Sequence, residues 1–65
     1  MKASDFPFQV GDRVAIDHPW GEREFGAIIH IPDGGEVDAV TILFDAGDEG
    51  EYAPEDCRKE VNNGQ

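Results

Sequence analysis

The chain has 65 residues, 15 of them acidic and 5 basic, for a formal charge of −10 at pH 7. A domain of this length buries only about 60% of its unfolded surface, which argues against a self-contained enzyme with a deep pocket. The negative field opposes direct contact with nucleic-acid phosphates or anionic lipid, and favours a soluble, acidic, cytoplasmic protein whose partners are basic.

Residues 1–9 read as an N-terminal arm. Asp5 and Pro7 oppose regular structure, while Phe6 and Phe8 offer one ring to the end of a core. Gly11-Asp12 reads as a turn into a first strand, in which Val14 and Ile16 alternate with Arg13, Ala15 and Asp17. Val10 is expected to plug the core beside them. Asp17 to Glu24 is a polar loop broken by Pro19 and Gly21, and it carries the only tryptophan, Trp20.

Phe25 to Ile31 is the second strand. Gly26 suggests a bulge or a tight bend. A bulge would also turn both Ile28 and Ile31 inward, leaving Ile29 and His30 partly exposed. Pro32 to Glu36 reads as a turn of four or five residues leading to the clearest strand, around Val40-Thr-Ile-Leu-Phe44. There Val40, Ile42 and Phe44 share one face, and this segment is expected to be the central strand. Asp45 to Glu51 is a glycine-rich acidic connection, and Glu51 to Ala53 a short fourth strand. Pro54-Glu-Asp56 suits a single helical turn, with proline at its first position and acids at its N-terminus. Cys57 to Val61 is a fifth strand offering Cys57 and Val61 to the core. Residues 62–65 are a tail expected to be disordered.

Cys57 is the only cysteine, so no disulfide can form within the chain, and a reducing compartment fits. The first residues have no apolar core of a signal peptide. No apolar run reaches the roughly 18 residues that span a membrane. Five short strands with one helical turn before the last make a small closed all-β barrel the economical fold.

This order of motifs resembles the SH3-like barrels of the Tudor and KOW kind. The residues that carry the resemblance are Gly11-Asp-Arg-Val14, Gly26 with Ile28, then Val40, Ile42, Phe44, Asp45 and Gly47, and finally Tyr52 with Pro54-Glu-Asp-Cys-Arg58. It spans residues 10–61, and Cys57 stands where the family commonly has leucine. The resemblance implies a five-stranded barrel and, for the Tudor class, an aromatic cage for a methylated side chain. The matching positions are Trp20, Phe25, Phe44 and Tyr52, with Asp45 and Asp48 as acids. Such barrels serve many functions, so the fold alone does not choose among them.

The acids Asp45, Asp48, Glu49, Glu51, Glu55 and Asp56 crowd one loop and its flank, and Glu22, Glu24, Asp33, Glu36 and Asp38 add charge at other loops. They form either a solvated surface or a platform for a basic protein, including a mimic of nucleic-acid phosphates that occupies a DNA-binding protein. Asp45, Glu49, Gly50 and Asp56 approximate a calcium loop. Gly47 stands where a third ligand belongs, however, and the last position lacks the usual glutamate. His18, His30 and Cys57 have no zinc-ligand spacing. Neither histidine has an evident nucleophile beside it. The opening Gly11-Asp-Arg-Val14 is also similar to that of the oligomeric type II dihydrofolate reductases. Of their fourth-strand signature, the segment Glu49-Gly-Glu-Tyr52 keeps only the tyrosine. The expectation is therefore a non-enzymatic interaction module without cofactor or metal. It would bind a basic protein through loops carrying Trp20, Phe25, Asp45, Asp48, Glu49, Glu51 and Tyr52; the oligomeric state stays open.

Overall fold

The computed structural model describes residues 1–60. Its strands are β1 (Arg13–Asp17), β2 (Arg23–His30), β3 (Val40–Phe44), β4 (Glu49–Tyr52) and β5 (Cys57–Lys59). They form one antiparallel sheet in the order β4-β3-β2-β1-β5. The chain is all-β, with single 3-10 turns at Ala3–Asp5 and at Pro54–Asp56, the latter leading straight into β5. The sheet is open: β4 and β5 are its two edges, and no pairing joins them among the described residues.

Alternation in β3 gives the core its pattern. Val40, Ile42 and Phe44 are buried, while Thr41 and Leu43 face the other way. Cross-strand register then fixes the neighbours. Gly26 lies between Val14 and Phe44, and Ile28 lies opposite Ile42. Val14, Ile16, Ile28, Val37, Val40 and Ile42 are almost fully enclosed, with Phe6, Phe44 and Cys57 closing the cluster. β3 is not the middle of the sheet, as its pattern suggested; β2, the longest strand, takes that place.

Gly26 is not the bulge. It pairs in register, and a Cβ there would lie 2.5 Å from the Leu43 carbonyl oxygen and 2.9 Å from Phe44 Cα. The irregularity falls between Ile28 and His30. It buries Ile28, leaves Ile29 and His30 exposed and packs Ile31 partly against the core, as a bulge in this run was expected to do.

Val10 is not a core plug. A Gln9 to Asp12 turn, closed at 3.0 Å, sets Val10 at its corner and Gly11 at φ +97°, so the valine points into solvent at 61% exposure. The β2–β3 connection is longer than a tight hairpin. It runs from Ile31 to Ala39, and the N-terminal arm docks on it: Lys2 bridges Glu36, and Ala3 N–H donates to the Gly35 carbonyl at 3.0 Å. Phe6 is the arm's buried ring, with Phe8 edge-on to it at 5.5 Å. The proposed core role of Val61 and the 62–65 tail lie outside the described residues.

Candidate functional site

Two hairpin turns of the same construction meet at one end of the sheet. In the first, Gly21 N–H donates to the His18 carbonyl at 3.0 Å and His18 N–H to the Glu22 carbonyl at 2.8 Å. In the second, Gly47 donates to Phe44 at 2.8 Å and Phe44 to Asp48 at 2.7 Å. Each is a turn followed by a glycine at positive φ, +96° at Gly21 and +102° at Gly47. This is the common three-residue hairpin connection. Pro19 sits at the second turn position, where its fixed φ belongs.

These turns bring together an aromatic group. His18 continues the inward row of Val14 and Ile16 and is buried. Its Nε2 lies 2.6 Å from Glu24 Oε1, which fixes the ring. Trp20 lies flat on that ring, with centroids 4.4 Å apart and planes 7° from parallel, yet is 68% exposed. Tyr52 stands edge-on to His18 at 6.0 Å and to Phe44 at 5.6 Å. Gly50 makes room for the Tyr52 ring, since a Cβ at Gly50 would come within 2.8 Å of it.

The seven side chains singled out from the sequence do not form one group. Trp20 and Tyr52 join through His18. Phe25, Glu49 and Glu51 belong to the opposite face of the sheet, because each alternates with inward residues: Phe25 with Gly26, and Glu49 and Glu51 with Gly50 and Tyr52. Glu49 and Glu51 are strand residues of β4, not loop residues, because the connection is only the tight turn ending at Asp48. Asp48 sits on that turn, exposed.

Asp45 is spoken for. Arg13 grips it with two guanidinium hydrogen bonds of 2.7 Å each and also reaches Glu60 at 3.1 Å. The hydrogen bonds from Arg13 hold the Asp45 carboxyl below the usual carboxylate range, and Arg13 in turn is pushed above its own. Arg23 does the same for Asp17, with Arg58 at 3.7 Å as a second cation. The strand arginines are thus engaged by acids. Asp48, Glu49, Glu51, Glu55 and Asp56 make no ion pair among the described residues.

His18 and Glu24 were not singled out as partners of Trp20. The signal was present: His18 extends the Val14, Ile16 period by one step, and Glu24 follows the turn at the register position opposite Ile16. Cys57 is buried near the Ala53 carbonyl at 3.7 Å, and burial pushes its thiol pKa up. No three His, Cys, Asp or Glu side chains among the described residues are grouped as metal ligands would be. No helix among them is long and apolar enough to cross a membrane. No family model, curated protein or solved structure matches the chain.

Proposed function

We propose that this protein is a small acidic binding module that takes up a basic protein partner, with Trp20 as its anchor. The observation that carries the reading is the pose of Trp20: one face rests on a buried, Glu24-fixed histidine, while the side chain is 68% exposed. A pre-set, exposed indole loses little side-chain freedom on binding and attracts a lysine or arginine side chain through its π face. The unpaired acids of β4 and of the turns on either side of it supply long-range attraction for such a partner. The strand order and the 3-10 turn ahead of β5 support an SH3-like frame, its sheet open between β4 and β5 among the described residues.

Trp20 is the only tryptophan, so its fluorescence reports on the site directly. Lysine-rich peptides should shift its emission at low salt and do so more weakly at physiological salt, while glutamate-rich peptides leave it unchanged. Trp20→Ala should weaken their capture roughly tenfold, within the range of an aromatic anchor. Equal capture by Trp20→Ala at both salt levels would remove the anchor.

A further inference from the structure

Among the described residues β4 is a free sheet edge, and the hairpin that leads into it dictates which groups that edge presents. The Phe44 N–H to Asp48 carbonyl bond closes the turn. Ladder bonds in an antiparallel pair recur at every second residue, so Ile42 with Gly50 and Val40 with Tyr52 are the bonded pairs. Glu49 and Glu51 therefore aim their N–H and C=O groups away from β3. Their carboxylates stand side by side on the outer face, two residues apart, and neither has an ion-pair partner among the described residues. Between them, on the inner side, Gly50 carries no side chain and the Tyr52 ring covers its place.

We propose that β4 receives an extended basic segment of the partner as an added strand. This rests on the reading of the protein as a binder of basic partners and specifies how the partner docks. The added strand pairs its main chain with Glu49 and Glu51. It places lysine or arginine at alternate positions over the two carboxylates, and a small or apolar residue between them beside Gly50. The same carboxylates exclude a second copy of this chain. Pairing β4 with itself about Gly50 would set Glu49 against Glu51 of the other copy, and like charges directly opposite repel.

The probe is a blocked synthetic peptide of alternating lysine and valine. It is compared with a block-order isomer of the same composition and with a version N-methylated at every second amide, the methyls on the bonding side. Amide exchange by NMR is the direct readout. The alternating peptide should slow exchange at Glu49 and Glu51, with little change at Gly50 and Tyr52, and should bind about fivefold or more tightly than either control. Glu51→Pro should keep the native spectrum, because that N–H serves no ladder bond, and should lose the peptide. If the proline variant fails to fold, Glu51→Gln and the N-methylated peptide decide. The first should weaken binding and flatten its salt dependence; the second should bind no better than the block isomer. Unprotected Glu49 and Glu51 amides in the bound state, or equal binding by Glu51→Pro, would overturn strand addition. If Trp20→Ala alone abolished binding in that case, the basic-partner reading would stand without it. A mass that rises with protein concentration and falls back in Glu51→Pro would assign the edge to self-association and overturn the proposal.

Discussion

The Arg13 to Asp45 contact ties the start of β1 to the β3–β4 turn, and its sign with pH is fixed. Asp45 has a folded pKa below its unfolded value, held there first by the Arg13 hydrogen bonds. The stability it contributes is present above the unfolded carboxylate value and is lost as pH falls through the folded one. Arg13→Met should return the Asp45 titration toward the ordinary range by NMR. The stability gap between the two proteins in urea should close as the solution is acidified through that window. His18 is the second residue on which local order depends. His18→Ala removes a buried ring and the hydrogen bond to Glu24, and should cost about 2 kcal/mol. Trp20 emission should then shift to the red, as the indole loses its platform. Trp20 itself was legible as the lone tryptophan in a loop. What the sequence left hidden was which flat surface would hold it, because a histidine's burial depends on strands far away in the chain.

At the level of elements, close approach of backbones sets the tolerance of each glycine. At Gly26 a methyl group would strike main-chain atoms of Leu43 and Phe44, which cannot yield without parting β2 from β3. Gly26→Ala should cost about 3 kcal/mol. At Gly50 the atoms in the way belong to the Tyr52 ring, which can swing aside. Gly50→Ala should cost nearer 1 kcal/mol and show itself as a changed Tyr52 environment. Urea titrations of the two variants check the ranking. The alternation of Val40, Ile42 and Phe44 made β3 readable, and Pro54 marked the 3-10 turn. Val10 was misread because apolar character alone cannot tell a core position from the corner of a turn. The length of β4 was underestimated because Glu49 and Gly50 have low strand propensity and are held by pairing with β3.

For the whole molecule, one small cluster carries the fold. A chain of this size has a stability of roughly 3–10 kcal/mol. Ile42 is fully enclosed at its centre, and Ile42→Ala should remove about 3–4 kcal/mol, so the variant should be partly unfolded at 37 °C by circular dichroism. The Cys57 thiol gives a second measure of the same cooperativity. Enclosed and with its pKa raised, it should resist alkylation until urea opens the sheet, and should react earlier in the denaturant series in Ile42→Ala. The five strands and the principal apolar positions followed from local pattern. Whether the sheet closed on itself did not, because that depends on how two distant edges approach, and no residue-level period encodes it.

The pairing of β5 with β1 has a kinetic corollary. The β1–β2 and β3–β4 hairpins close over a few residues and can zip up as soon as both arms exist. Ile16 must wait for Cys57, some forty positions downstream, before its flank is covered. During synthesis on the ribosome, β1 remains an uncapped ribbon until the segment Cys57–Lys59 has emerged, so the nascent chain passes through an interval in which that side can be captured by another polypeptide.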